Sequence, residues 1–346
     1  MRAKKLLTST MAMALGAATL FVGCGSVDPD ATLVTINDGE DTISLGYGNF
    51  EARYLQSVYD SFYISYYGES YWSNDGSEDG ETMEDSTKNN ILESIEEEYF
   101  LRSVAADYGI ELTDEDNEKI AEAVEEFMAA NPEETLEAMT ASTEIVTQYL
   151  ENQTYAKLVK EAIEESADVE VTDDECWQRT FSYVFVSNQY AYDEDGNSIE
   201  MTDDYLDSLL GEMQLVSNSG EEFDSFAEGL GLTVSTYSYT KGEEEDSTFD
   251  YSIIEAAESM SEGDISNVIE VTDTGYYVIR LDSDHDLEAS ETERDSLISE
   301  KQEEYYDSVY EDWKSNTTWE VNDKAWAKVK FDTLFTAIET EEDTEE

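Results

Sequence analysis

Between residues 47 and 166 apolar side chains recur at intervals of three and four, the spacing that lines one face of an α-helix. That pattern predicts a helix over about 47–67 and a second through Ile91, Leu92, Ile95, Tyr99, Leu101 and Val104, closed by Gly109. A third spans 114–130, with Thr113 as N-cap and acidic residues in its first turn, and stops at Asn131-Pro132. A fourth runs over about 141–166. The cap logic returns at Thr172 in "VEVTDDECWQRT", which reads as another helix start. Ahead of these helices, "ATLVTINDGEDTISL" (31–45) alternates apolar and polar positions around Asn-Asp-Gly and predicts a short strand or hairpin. Residues 68–81 are loop by composition.

From Thr180 the period drops to two. "TFSYVFVS" reads as a strand, "YDEDGNSIEM" as a turn, and 203–216 and 222–228 as helices. "LTVSTYSYT" is a second strand, 252–260 a short helix, and "SNVIEVTDTGYYVIRL" a two-stranded hairpin. A long helix over 291–316 follows, and "TTWEVNDKAWAKVKF" ends the fold with a strand-like segment. Helices, then about 105 residues of mixed structure, then one helix and a strand read as an insertion into a helical domain. The class is α+β, with a discontinuous helical domain. Its parts are 31–178 and 286–336, the inserted domain is 179–285, and 337–346 is a solvated acidic tail.

Charge narrows the partners. Lys and Arg number 18 against 85 Asp and Glu in 346 residues, a formal charge of −67. A field of that sign repels nucleic acid and anionic lipid and gathers cations and basic polypeptides. Aromatics at 12% argue against wholesale disorder. With two cysteines and one histidine the chain cannot build a conventional zinc site, and the sequence calls for no metal and no cofactor.

Residues 1–23 read as an export signal: "MRAKK" is a basic start, and "MAMALGAATLFV" an apolar run shorter than the roughly 20 residues needed to span a bilayer. The run ends in "LFVGCGS", which resembles the lipobox of bacterial lipoproteins over residues 20–24, with Phe21 a less usual member. The resemblance implies lipid attachment to the Cys24 thiol, cleavage before it, and a location on the outer face of the cell membrane. Residues 24–30 then serve as a tether. With Cys24 acylated, Cys176 has no disulfide partner and reads as a packing residue.

"GEEFDSFAEGLG", "AAESMSEGDISNVIEV" and "GYYVIRL", in that order over residues 220–281, resemble the parvulin-type peptidyl-prolyl isomerase domain. "LVTINDGEDTISLGYGNFEARY", "YGIELTDEDNEKIAEAVEEF" and "ADVEVTDDE" resemble the helical chaperone domain of PrsA- and SurA-type extracytoplasmic foldases. The resemblance implies a foldase whose clients are unfolded or partly folded exported polypeptides. It also implies two pocket histidines. Here Tyr183, in "TFSYVFV", stands at the first position and Tyr277, in "GYYVIRL", at the second. The pocket's Cys or Asp has no match in "STYSYTKGEEEDST", so catalytic residues are not assigned and isomerase activity is expected to be weak or lost.

A phenol, with a pKa of about 10, does not titrate near neutrality. Prolyl rotation needs no proton transfer, so shape and desolvation can retain some activity. Tyr183, Tyr237, Tyr239 and Tyr277 are candidates for client binding, and plain core aromatics are the other reading of the first and last. The tyrosine-rich stretches 54–72 and 303–313 read either as a client cradle or as helix packing. A solute-binding lipoprotein, which needs repeated βαβ lobes, and a calcium-dependent surface protein are the alternatives. For the latter, "DEDGN" (193–197) supplies alternating acidic groups but places glycine fourth, as a hairpin turn does.

Overall fold

The computed structural model describes residues 15–17, 27–68, 70–74, 80–192, 198–199, 202–242, 249–332 and 334–337. Cys24 and the "DEDGN" segment lie outside them. In chain order the first elements are β1 (Leu15–Ala17), β2 (Thr32–Ile36), β3 (Asp41–Ser44), α1 (Leu45–Tyr67), α2 (Met83–Val104), α3 (Asp114–Ala130), α4 (Glu133–Ala138) and α5 (Thr143–Glu165). Next come β4 (Gln178–Ser187), β5 (Ala191–Tyr192), β6 (Ser198–Ile199), α6 (Asp203–Ser217), α7 (Phe223–Gly229), β7 (Val234–Thr240), α8 (Tyr251–Glu258), β8 (Ile269–Val271) and β9 (Gly275–Ser283). The chain closes with α9 (Leu287–Asn316), β10 (Trp319–Val321), α10 (Asp323–Trp326) and β11 (Phe335–Ala337). These divide into two units, Met1–Ala167 with Glu304–Glu346, and Asp168–Glu303.

Caps set the helix starts of the first unit. Ser44, Thr82, Thr113 and Ser142 each accept a hydrogen bond from the backbone N–H three residues on, which satisfies a donor the helix leaves orphaned. At Thr113 the cap is reciprocal, because the Asp116 carboxylate accepts from the Thr113 N–H at 2.9 Å. Gly109, at φ 69°, takes the left-handed turn that stops the segment after α2. The short helix α4 was not expected. Six residues carry too little period to read, and Pro132 with its fixed φ starts them.

The late segment completes this unit. β10 pairs antiparallel with β2, which pairs with β3, so a strand from the end of the chain joins the first hairpin. Leu33, Val34, Ile36, Leu45 and Tyr47 pack against Trp72, Ile95, Trp326, Val329 and Phe331. Tyr306, Tyr310 and Trp313 from α9 close on Phe100, Leu101, Val159 and Ile163 of α2 and α5. Buried polar groups pin the same tail. The Lys88 ammonium donates to the carbonyls of Trp326 and Val329 at 3.2 and 2.8 Å. Asp60 accepts from Trp72 Nε1 at 2.7 Å and from the Phe335 N–H at 2.8 Å. Arg53 lies over the Phe335 ring, and burial brings its guanidinium pKa down to about 10. β11 pairs antiparallel with β1.

In the second unit an antiparallel sheet runs in the order β7-β4-β9-β8. Successive side chains of β4 alternate between its faces. Val184 and Val186 join Met213, Val216, Phe223, Ala227 and Val278 against α6 and α7. Phe181 joins Tyr239, Ile253, Ile254, Ala257, Ile279 and Leu281 against α8. The helix expected at Thr172 does not form. Its cap bonds are present, with the Glu175 carboxylate accepting from the Thr172 N–H and hydroxyl at 2.7 Å each, but 173–176 are a turn and β4 starts at Gln178. No apolar helical face follows that cap, whereas a central strand gains pairing on both edges. Cys176 is buried, 1% exposed, with its thiol directed at the Thr172 carbonyl.

Candidate functional site

Strand register assembles an aromatic surface on the α8 face of the sheet. Phe181, Tyr183 and Phe185 alternate onto that face from β4. Phe181 stands opposite Tyr237 of β7, and Phe185 opposite Tyr277 of β9. Two of the expected client-binding tyrosines, Tyr183 and Tyr277, therefore sit diagonally, two register positions apart on the same face, with ring centroids at 6.1 Å. Tyr277 also packs on Phe185 at 4.7 Å.

The residue that unites them was missed in the sequence. Phe249, just before α8, lies 4.4 Å from Tyr237, 5.0 Å from Tyr183, 5.6 Å from Phe181 and 6.0 Å from Tyr277. Its signal was present: it is the first apolar residue after the acidic run "KGEEEDST", directly before a helical period. Tyr183, Tyr237, Tyr277 and Phe249 are all half-buried, and Phe185 is 40% exposed. The rings are thus partly open to solvent while packing against a core that includes Ile253 and Ile279.

Tyr239 shares the face but has a different task. It is 5% exposed, and its hydroxyl donates to Glu258 Oε1 at 2.7 Å. Burial and that carboxylate push its pKa well up. Glu258 also pairs with the buried Arg179 at 3.2 Å, and Arg179 reaches Asp284 at 3.0 Å and the Met260 carbonyl at 3.0 Å. This network clamps β4, β7 and the end of α8 together and holds the edge of the aromatic surface in place. His285 takes no part in it. Its ring stacks on Trp177 at 3.8 Å, and the Lys241 ammonium lies 4.9 Å from the same indole.

The chemistry available to the surface follows from its groups. Burial, with Tyr183 and Asp250 nearby, raises the Tyr277 pKa above the ordinary phenol value, so it stays neutral throughout the physiological range. Tyr277 therefore does not exchange a proton usefully near neutrality. The rings of Tyr183 and Tyr277 offer broad apolar contact and their hydroxyls hydrogen bonds, the combination suited to gripping varied side chains.

A second aromatic surface lies in the helical unit, at the end of α1. Tyr59, Trp72, Tyr71, Tyr63 and Tyr67 form a continuous ladder with centroid spacings of 4.9 to 6.1 Å. Phe62 is 60% exposed, Tyr66 85% and Tyr67 61%. Tyr54, by contrast, packs with Phe50, Phe127 and Tyr149. In the 303–313 stretch Tyr306 is buried and only Tyr305 is markedly exposed. The two tyrosine-rich stretches therefore divide between core and surface.

A four-stranded antiparallel sheet flanked by α6, α7 and α8, with an aromatic floor on one face, defines a parvulin-like α+β domain. Residues 178–293 match the family model described as the PPIC-type PPIase domain. Solved structures similar to the chain include a SurA-like chaperone structure from Campylobacter jejuni, 13% identical, covering 84% of this chain and 98% of that one at a TM-score of 0.28. The foldase PrsA of Lactococcus lactis is 16% identical over 86% of this chain and 97% of its own, at 0.32. PrsA of Streptococcus pneumoniae is 16% identical over 70% and 89%, at 0.31. No curated protein matches the chain.

Proposed function

We propose that this protein is an extracytoplasmic foldase, tethered to the membrane by lipid on Cys24, that holds partly folded exported polypeptides with little or no prolyl isomerase activity. One observation carries the reading: in a PPIC-type domain, Tyr183, Tyr237, Tyr277 and Phe249 form a half-exposed aromatic surface where the family resemblance places titratable histidines. Such a surface binds apolar side chains of an unfolded client and leaves no group to manage protons. The exposed rings of Phe62, Tyr66 and Tyr67 supply a second area of the same chemistry. Among the described residues no helix is long and apolar enough to cross a membrane. The solute-binding alternative draws no support from the described strands, which pair antiparallel throughout rather than in βαβ lobes.

The test is paired. The chain from residue 24, carrying Cys24→Ser, should suppress aggregation of a denatured client at near-stoichiometric ratio while leaving cis–trans exchange of a proline peptide at its spontaneous rate. Tyr183→His with Tyr277→His should raise that exchange. Failure to suppress aggregation sinks the holding role. Rapid exchange by the unaltered chain sinks the claim of lost activity.

A further inference from the structure

Helices α1, α2 and α5 bring a set of ionisable groups into the interior of the helical unit. Glu51 and Glu98 are 6% and 5% exposed. Glu98 Oε2 accepts from the Tyr47 hydroxyl at 2.6 Å, and Oε1 accepts from Gln153 Nε2. Asn152 Nδ2 donates to the Tyr47 oxygen at 2.9 Å and is itself held by Arg102 at 2.6 Å. The Glu51 carboxyl adjoins this chain through Glu98 and Tyr47. Glu51 Oε1 is buried and has no hydrogen-bond partner.

Glu51 and Glu98 both line a cavity of about 420 Å³, walled by Tyr54 and Tyr149 and bordered by Glu97 and Gln153. That volume falls within the range of small-ligand pockets. We propose that this cavity is a binding site for one organic cation, a guanidinium or primary ammonium, with Glu51 and Glu98 as its acceptors and the two phenol rings as its walls. Burying a carboxylate oxygen without a donor is unfavourable, and a cation bearing N–H groups supplies the missing donor. Aromatic faces attract cations once water is excluded. A chain of net charge −67 also concentrates cations at its surface.

The other charges around the cavity fit this assignment. Glu97 is committed to the Tyr306 hydroxyl. Lys160 lies over the Tyr306 ring at 4.4 Å, turned to an aromatic of α9. Lys157 is exposed and so stands at the solvent edge, where it opposes entry of a cation without filling the floor. Burial raises both floor carboxyls above the usual carboxylate range, and the Glu98 charge raises Glu51 further. A bound cation favours the ionised pair, so its entry shifts the pair toward releasing a proton. Two sources share this chemistry, a small free base and the basic side chain of a bound polypeptide.

Calorimetric titration of the full chain tests the site with agmatine, N-acetylarginine amide and the neutral N-acetylcitrulline amide, in two buffers of different ionisation enthalpy. Both cations should bind, the citrulline compound should bind at least about tenfold more weakly, and the buffer dependence should report net proton release. Glu51→Gln should weaken both cations about tenfold or more and reduce the proton release, with its helical signal intact and its melting temperature no lower. Lys157→Gln should tighten them several-fold. An unfolded peptide carrying one arginine, set against the same peptide with citrulline, separates the sources: discrimination by the peptide pair assigns a client side chain, and discrimination by the small probes alone assigns a free base. Equal binding of the citrulline compound, unchanged binding in Glu51→Gln, or no heat from either cation at millimolar concentration overturns the assignment. The aggregation assay reads other surfaces, so either proposal can fail alone.

Discussion

Gly275 and Gly211 make a matched pair in which one methyl group should act with opposite signs. Gly275 begins β9, directly opposite Ser187 of β4. A Cβ placed there would lie 2.1 Å from the Val186 carbonyl oxygen and 2.7 Å from Phe185 Cε2, although real Cβ contacts essentially never fall below 3.0 Å. The shortfall to the carbonyl is 0.9 Å, and the atom in the way is backbone in the central strand, which no rotamer change can remove. Overpacking of this kind costs about 1–3 kcal/mol, and the rigid neighbour puts Gly275→Ala near the upper figure. For a unit of this size that is a fall in melting temperature on the order of 10 °C. Gly211 lies within α6 with nothing within 4 Å of the added Cβ, so Gly211→Ala should stabilise by about 0.5–1 kcal/mol through helix propensity. Because the chain has two units, the readout must report the second alone. A ¹⁹F label on Trp177, which stacks on His285 there, does so in a urea titration. Gly275 also keeps β9 close to β4 and thereby Tyr277 against Phe185, so the destabilised variant should lose client holding as well. Equal, small shifts for the two alanines would refute the close approach on which the aromatic surface is built.

Three further outcomes are expected. The fold raises the Glu51 and Glu98 carboxyls above the ordinary carboxylate pKa of ~4.3, so this pair's contribution to stability is greatest at the acid end and falls as pH climbs through the window up to the raised value, by at most about 1.4 kcal/mol per pH unit for one proton. Glu51→Gln should flatten that slope in denaturant titrations across pH; an unchanged slope would place the proton elsewhere. Phe62→Ser with Tyr66→Ser should alter stability by no more than about 0.5 kcal/mol, since both rings are well exposed, yet reduce aggregation suppression. Retained suppression would remove this surface from client binding. Asp60→Ala strands the buried Trp72 indole N–H and the Phe335 N–H, so unfolding should show a loss of about 3 kcal/mol; a loss under 1 kcal/mol would show that water replaces it.

Local chemistry made much of the architecture readable. Ser, Thr and Gly at helix ends act through their nearest neighbours, and α3 begins and ends where Thr113 and Asn131-Pro132 say it must. The two-residue alternation of "TFSYVFVS" and "GYYVIRL" placed Tyr183 and Tyr277 on strands, and the order of elements exposed the insertion. Local chemistry also misled once: the cap at Thr172 is chemically complete, yet it closes only a turn, because helix growth depends on an apolar face that 173–180 lack.

What the linear chain could not supply was proximity. Phe249 stands 66 residues from Tyr183 in the sequence, and only the pairing of β7, β4 and β9 with α8 packed across them puts its ring within 5.0 Å. Glu51 and Glu98 each sit in acidic, helical surroundings indistinguishable from dozens of solvated glutamates. Their burial, and the orphaned oxygen between them, arise when α1 crosses α2 and α5. Periodicity records which side of an element is apolar; which other side it meets is decided by the free energy of packing the whole.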